Sequence, residues 1–74
     1  MKKVYCDIKE SLGTLATYYD GETKEVNLVS WNHRYPKYDI RQWSPEHKPH
    51  KGIALSKKEA RTLYEALKEI FENE

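Results

Sequence analysis

The chain has 74 residues, a formal net charge of +1 at neutral pH and a single cysteine. A folded chain of this length buries only about 60% of the surface that its unfolded form exposes, so its stability is marginal. One cysteine excludes an internal disulfide, and the histidines show no zinc-ligand spacing with it. The remaining source of extra burial is a second subunit, so we expect a single domain over residues 1–74 that forms a homodimer.

The hydropathy of the chain argues against membranes and secretion. No apolar run approaches the about 20 residues that a membrane-spanning helix needs. The segment from Met1 to Ile8 begins with basic residues but lacks the apolar region of a signal peptide. A lone thiol also favours a reducing compartment. We therefore expect a cytoplasmic protein with no membrane partner.

The first two thirds of the chain have the patterns of β-strands. Val4, Cys6 and Ile8 alternate with polar residues, which is the period of a half-buried strand. Turn residues follow at Ser11 to Gly13 and at Asp20-Gly21, where glycine accepts a positive φ without steric cost. The further predicted strands are Thr14–Tyr19, Lys24–Asn32 and Lys37–Trp43, and the predicted loops are His33–Pro36 and Ser44–Gly52.

The last third of the chain predicts a helix. Ile53 to Leu55 leads into Ser56-Lys57-Lys58-Glu59, which fits a capping box. Apolar residues then recur at steps of three and four as far as Glu72, which is typical of an amphipathic helix. These residues are Ala60, Leu63, Tyr64, Leu67, Ile70 and Phe71. Strands followed by a helix predict an α+β fold, a four-stranded antiparallel sheet followed by one C-terminal helix.

The apolar side of this helix is wide for a domain of this size. Packing against the chain's own sheet accounts for part of it. Pairing with the same helix of a second copy would bury the rest, as in a two-fold interface. The predicted dimer-interface residues are Leu63, Leu67, Ile70 and Phe71.

Aromatic residues are frequent and lie close to basic ones. Between Tyr35 and Trp43 three aromatic residues are interleaved with Lys37 and Arg41. Bases stack on aromatic rings whatever their sequence, and Lys and Arg neutralise phosphates, so this mixture suits single strands. The alternative interpretation is that the aromatic residues fill a small core and the charges are ordinary solvated surface.

Catalytic patterns are weak. No serine has the context of a nucleophile elbow, and the scattered glycines form no phosphate-binding loop. Asp39 with His33 or His47 would be the only dyad, and Asp39 is more simply interpreted as a charge pair with Arg41 on one strand face. Cys6 shares a strand face with Val4 and Ile8 and is interpreted as a buried, inert thiol. We expect no enzymatic activity, no cofactor, no metal and no small-molecule substrate.

Several segments of the chain fit a known family. They are Ser30-Trp31-Asn32, Pro36-Lys37-Tyr38-Asp39-Ile40-Arg41, Trp43-Ser44-Pro45, and Lys51-Gly52-Ile53 followed by Leu55-Ser56. This run resembles the YdbC-type bacterial proteins, which are relatives of the eukaryotic transcriptional coactivator called positive cofactor four. The resemblance covers about 30 residues closely, and the order of strands and helix agrees with it.

The resemblance implies a curved four-stranded antiparallel sheet, a dimer built through the C-terminal helices, and sequence-tolerant binding of single-stranded DNA. It implies a role in transcription or in DNA repair and replication, without catalysis or metal. Arg41 and Trp43 match the basic and aromatic pair on the family's DNA-facing strand, and Lys51 matches the lysine before Gly-Ile. Trp31, Asn32, Arg34 and Lys37 lie in the matching segment, whereas Tyr18 and Lys24 are assigned from strand register alone.

The sequence therefore predicts a homodimer that binds single-stranded DNA. Arg41, Lys37 and Lys51 would contact phosphates. Trp43 and Trp31, with Tyr18 or Tyr38, would stack on bases. Two alternatives stay open: a protein-interaction module that uses the same sheet face, and RNA binding by the same surface.

Overall fold

The computed structural model describes residues 5–74, which form one antiparallel sheet and one helix. The elements are β1 (Cys6–Thr17), β2 (Thr23–Trp31), β3 (Lys37–Trp43), β4 (Pro49–Leu55) and α1 (Lys57–Glu72). The strands lie in the sheet in chain order. The predicted α+β class and the β-β-β-β-α order are confirmed. Val4, predicted to belong to the first strand, lies outside the described residues.

The first strand is longer than predicted. The predicted turn at Ser11 to Gly13 is wrong, because β1 runs through it and pairs with β2 along its length. Residues 14–17 of the predicted strand Thr14–Tyr19 are in a strand as predicted, but they are the end of β1 and not a separate strand. The register shifts between Ile8 and Glu10, and twice more before Ala16. Each shift is a β-bulge, which leaves one residue unpaired and increases the local twist. The bulges break the alternation of side chains and bend the strand, so the sheet is curved.

The last strand was hidden in a predicted loop. The prediction of a loop over Ser44–Gly52 is wrong for its second half, because β4 begins at Pro49. Proline is tolerated at the first residue of an edge strand, where its missing N–H costs no hydrogen bond. Gly52 lies against β3, where an added Cβ would overlap the Cβ of Arg41 and approach the main-chain oxygen of Ile40. Proline and glycine are therefore strand residues here, although their composition is that of a loop.

The sheet has two chemically different faces. The register pairs Val26 with Ile40 and Leu28 with Tyr38. These side chains face α1 and form the helix face. The alternate residues form the opposite face, which we call the network face; they include the pairs Thr23–Trp43, Glu25–Arg41 and Asn27–Asp39. This division of β2 and β3 between two faces follows from the alternation of side chains along a strand.

Burial is concentrated on the network face. Within residues 5–74 the buried hydrophobic side chains are Val29 and Trp43, and Asn27, Ser30 and Asp39 are buried polar residues. In contrast, α1 contains no buried residue. A groove of about 550 Å³ lies between α1 and the helix face. The helix face is thus only partly covered within one chain. No helix in the described part of the chain is long and apolar enough to cross a bilayer.

The start of α1 has the predicted cap. Ser56 Oγ accepts a hydrogen bond from the Glu59 amide at 3.1 Å, and Glu59 Oε1 accepts one from the Ser56 amide at 2.8 Å. These hydrogen bonds, with the nearby charge of Lys37, lower the pKa of Glu59 below its usual value. The capping box and the end of the helix at Glu72 are confirmed.

Candidate nucleic-acid interface

A hydrogen-bonded cluster occupies the centre of the network face. Asp39 and Arg41 are alternate residues of β3, so their side chains lie on the same face. Asp39 accepts hydrogen bonds from Arg41 Nε at 2.8 Å, from Arg41 Nη2 at 2.9 Å and from Trp31 Nε1 at 3.1 Å. The Arg41 guanidinium also lies 4.7 Å from the centre of the Trp31 ring. The predicted Asp39–Arg41 charge pair is confirmed.

Arg41 is largely committed to the protein. Its side chain is 15% exposed. In addition to the two bonds to Asp39, Arg41 Nη1 donates to the main-chain oxygen of His50 at 2.8 Å, which ties β3 to β4. A guanidinium has five N–H donors, so two of them remain for another acceptor. A phosphate can therefore reach Arg41 only through the remaining donors at its edge.

Trp43 is a core residue. It is 2% exposed, and its ring stacks on His47 with the ring centres 4.5 Å apart. Its Nε1 is buried without a hydrogen-bond partner. A base cannot stack on this ring as it lies, because both the protein interior and the His47 imidazole occupy the space. The expectation that Trp43 stacks on a base does not fit this burial.

Glu25 holds the β3–β4 connection against β2. Its carboxylate accepts hydrogen bonds from Thr23 Oγ1 and Asn27 Nδ2, and His47 Nε2 lies 3.2 Å from its Oε1. Burial alone would raise the pKa of Glu25, but the hydrogen bonds from Thr23, Asn27 and His47 outweigh it and lower the pKa. The ionised carboxylate therefore stabilises the position of His47 above Trp43.

Two exposed lysines, Lys24 and Lys51, lie beside Gln42 of β3. Lys24 of β2 pairs with Gln42 of β3, and Lys51 of β4 lines a shallow hollow with Gln42 and His50. Gln42 lies between Arg41 and Trp43 in sequence, so its side chain lies on the opposite face of the strand. The predicted binding residues are thus not all on one face. Lys24 and Lys51 thus lie on either side of Gln42, and Arg41 lies on the opposite face of β3.

The β2–β3 turn carries two further predicted residues. Asn32 and His33 both have positive φ, of 51° and 63°, which is the geometry of a type I′ hairpin turn. The Asn32 side chain is used in the fold, because its Oδ1 accepts a hydrogen bond from the Tyr5 amide at 3.0 Å. Arg34 is exposed. Its main-chain oxygen accepts a hydrogen bond from Ser30 Oγ at 2.6 Å.

The predicted aromatic residues lie in three places. Trp31 is half-buried beneath Arg41 on the network face. Tyr38 is half-buried on the helix face. Tyr18 is exposed at the β1–β2 turn, near the end of the sheet that carries Lys24. The available aromatic surface is therefore distributed around the sheet and does not form one platform.

Three exposed residues near Lys37 were not among the predicted site residues, although Tyr35 belongs to the predicted aromatic and basic stretch. Tyr35, Lys57 and Arg61 line adjoining hollows with Lys37 and Tyr38. The available signal was the placement of basic residues in the first turns of α1, where a helix normally favours acidic ones. Within residues 5–74, no three His, Cys, Asp or Glu side chains are grouped as a metal-ligand set.

The fold is a small curved antiparallel sheet with one C-terminal helix. Exposed lysines lie on adjoining strands, with aromatic side chains around them. Together these features define a class of compact α+β nucleic-acid-binding domains. The chain matches the family described as Transcriptional Coactivator p15 (PC4) over residues 19–66. It is also 40% identical over 62 residues to an uncharacterized protein of Treponema pallidum (strain Nichols), a match that spans 82% of this chain and 73% of that protein. The chain belongs to the PC4 family, as the sequence resemblance predicts. Membership connects it with nucleic-acid binding and with a transcription-related role.

Proposed function

We propose that the protein is a non-enzymatic homodimer that binds single-stranded DNA with little sequence preference and acts in the cytoplasm in transcription or in DNA repair and replication. The main support is the pair of exposed lysines, Lys24 and Lys51, on either side of Gln42 in a PC4-family sheet. Such cations bind phosphates, which are the same at every position of a strand. Binding through them selects for a flexible, exposed backbone and not for a base sequence.

Phosphate contacts would come chiefly from exposed side chains. Lys24, Lys51 and Lys37 are exposed, and Arg34 extends from the β2–β3 turn. Each phosphate contact on a single strand contributes about −0.7 to the slope of log affinity against log salt. Arg41 contributes through the donors that Asp39 and His50 leave free. The proposal therefore predicts salt-sensitive binding with several contacts of similar weight.

Stacking would use the aromatic rings that remain accessible. Tyr18 is exposed beside Lys24, and part of Trp31 is accessible next to the Arg41 guanidinium. Base stacking on such rings contributes about 1–3 kcal/mol per base and tolerates every base. Trp43 is not part of this proposal, because it is buried.

Dimerisation is supported by the incomplete cover of the helix face. Leu63, Leu67, Ile70 and Phe71 are all exposed in the single chain. Leu63, Leu67 and Phe71 also line the apolar groove between α1 and the sheet. Monomeric proteins rarely leave apolar patches larger than a few hundred Å² in contact with water. A second copy of α1 would cover these residues and would double the number of cations that a strand can reach.

The first test is fluorescence anisotropy of a labelled oligothymidine, titrated with the dimer at low and at moderate salt. We expect tight binding that weakens with salt, and much weaker binding to a duplex of the same length. Lys51→Ala should reduce the steepness of the salt dependence by about 0.7 for each copy of Lys51 that contacts the strand. Lys9→Ala is the matched control, because Lys9 is paired with Asp7 on β1, away from Lys24 and Lys51.

The alternatives give different results in the same assay. A lack of binding to the single strand at low salt would contradict the proposal and favour a protein-interaction module. Displacement of the oligothymidine by an oligouridine at lower concentration than by unlabelled oligothymidine would indicate RNA as the preferred ligand.

A further inference from the structure

The charges of α1 are arranged against the helix dipole. Lys57, Lys58 and Arg61 outnumber the acidic Glu59 in its first turns, whereas Glu65, Glu69 and Glu72 outnumber Lys68 in its second half. The N-terminal end of a helix carries a partial positive charge and favours acidic side chains, and the C-terminal end favours basic ones. This order of charges therefore reduces the stability of the helix. Helix formation does not explain the basic residues at its start.

The basic residues continue along one side of the helix. Lys57, Arg61, Tyr64 and Lys68 follow one another at steps of four, three and four, so they are neighbours on the helix surface. Lys68 Nζ lies 5.9 Å from the centre of the Tyr64 ring, in a cation–π contact. We call these four residues the basic flank. The basic flank borders the apolar side of α1 and extends over about three helical turns.

The basic flank continues onto the β2–β3 connection. Lys57 and Tyr38 line a hollow of about 420 Å³ with Arg61 and Tyr64. They also line an adjoining hollow of about 560 Å³ with Lys37 and Tyr35. Tyr35 is 91% exposed. Cations and aromatic rings thus form one connected surface from Tyr35 to the third turn of α1.

The cations of this surface are available to a ligand. None of the ion pairs found within residues 5–74 includes Lys37, Lys57, Arg61 or Lys68. The Glu59 carboxylate, whose pKa the charge of Lys37 helps to lower, accepts the Ser56 amide hydrogen bond. Ser56 Oγ caps the Glu59 amide of the first turn, and the binding chemistry proposed here is that of the side chains.

We infer that the basic flank and the Tyr35–Lys37 hollow bind the phosphate backbone of a single strand beyond its footprint on the sheet, with Tyr35 and Tyr64 as stacking rings. The inference rests on the proposed function, since it extends the path of the same strand. A short oligonucleotide occupies the sheet alone, whereas a longer one also reaches α1. The length of the oligonucleotide therefore distinguishes binding to the sheet from binding to the basic flank.

The test compares oligothymidines of about 6 and about 24 nucleotides, lengths chosen around the site sizes of small single-strand-binding domains. The variant is the proposed dimer of the 74-residue chain carrying Lys57→Ala and Arg61→Ala. We expect its affinity for the long strand to fall about tenfold. Its salt dependence should become less steep by about 1.4 for each subunit whose flank contacts the strand, as for two lost phosphate contacts per subunit. Affinity for the short strand should stay unchanged. The control Lys57→Arg with Arg61→Lys keeps the charges and should bind both strands like the wild type.

The outcomes distinguish this inference from the proposed function. If the alanine variant binds the long strand with unchanged affinity and salt dependence, the basic flank is not a binding surface, although binding to the sheet stands. An equal loss for both lengths also overturns the inference, because the flank would then belong to the first footprint. If the wild type binds neither strand, the proposed function itself fails. Thermal unfolding provides an independent check: the alanine variant should be at least as stable as the wild type, since it removes cations from the helix start.

Discussion

Asp39 and Arg41 form a two-point ion pair on one face of β3, with Arg41 Nε and Nη2 lying 2.8 and 2.9 Å from the two carboxylate oxygens. Asp39 is fully buried and Arg41 is mostly buried. Because the same guanidinium also donates to His50, the pair connects β3 to β4 and holds Trp31 in place. Its main effect is therefore on the fold, and any effect on nucleic-acid binding must be measured in variants that remain folded.

The first prediction concerns this ion pair. Asp39→Ala leaves the Arg41 guanidinium mostly buried without its counter-charge, and loss of one partner of a buried pair costs about 3–5 kcal/mol. We expect urea denaturation to show a loss of this size, or a chain that no longer folds. Lys51→Ala, at an exposed position on the neighbouring strand, should change the free energy of unfolding by less than about 0.5 kcal/mol. Similar stabilities for the two variants would mean that the cluster does not anchor the sheet.

The second prediction compares two strand glycines. Gly52→Ala places a Cβ against Arg41 and the Ile40 carbonyl. Overpacking of this kind typically costs about 1–3 kcal/mol. Gly13→Ala adds a Cβ that meets no atom within 4 Å, so it should be neutral or should stabilise the strand by about 0.5 kcal/mol. Chemical denaturation of the two variants measures the difference, and equal effects would contradict the close approach of β4 to Arg41.

The third prediction separates the two tryptophans by fluorescence. Trp31→Phe leaves Trp43 as the only tryptophan, and Trp43→Phe leaves Trp31. Because Trp43 is buried beneath His47, its emission should be unchanged when oligothymidine saturates the protein. The emission of Trp31, which is half-buried, should change on binding. Strong quenching of Trp43 would show that the ring leaves the core to stack on a base.

The fourth prediction is a pH dependence that arises from Glu25. Hydrogen bonds from Thr23, Asn27 and His47 outweigh the effect of burial and lower the pKa of Glu25 in the folded protein. A carboxyl with a lowered pKa stabilises the fold fully above its unfolded pKa of about 4.3, and this contribution is lost as the pH falls through the lower folded-state value. Unfolding free energies of the wild type should therefore fall below about pH 4 more steeply than those of Glu25→Gln. Parallel curves would mean that the carboxylate does not hold the loop.

The fifth prediction concerns the dimer. Leu67→Asp places a charge in the middle of the exposed apolar side of α1, so the proposed dimer should dissociate. Light scattering should then give half the wild-type mass at micromolar concentration. Thr62→Asp is the control, because Thr62 lies on the opposite side of the helix and should leave the mass unchanged. A wild-type monomer, or a Leu67→Asp dimer, would exclude α1 as the interface.

The sequence predicted those elements whose local signals agree with one another. β3 has an uninterrupted alternation, and α1 has both a capping box and a helical apolar period, so their limits were found almost to the residue. The Asp39–Arg41 pair followed from the same alternation. The first edge strand, β1, was predicted only in part and as two strands, because bulges break its alternation. The last edge strand, β4, was not found, because its loop-like composition masks it. Both are edge strands, where pairing on one side permits such irregularity.

The burial of Trp43 depends on a contact that no local pattern encodes. His47 has a positive φ of 62°, which turns the β3–β4 connection back so that the imidazole covers the Trp43 ring and reaches Glu25 on β2. A tryptophan beside an arginine on one strand face is equally consistent with a binding surface and with a core. His47 decides between these two roles, because it covers the Trp43 ring only when the β3–β4 loop folds back toward Glu25.

The bulges of β1 also affect how the molecule behaves among its own copies. β1 is an outer strand of the sheet, and its unpaired edge would otherwise offer a regular row of hydrogen-bonding groups to another chain. The three register shifts interrupt that row, so a neighbouring strand cannot align with it over more than a few residues. Irregularity that obscures the strand in the sequence therefore protects the folded protein against growth into fibrils at high concentration.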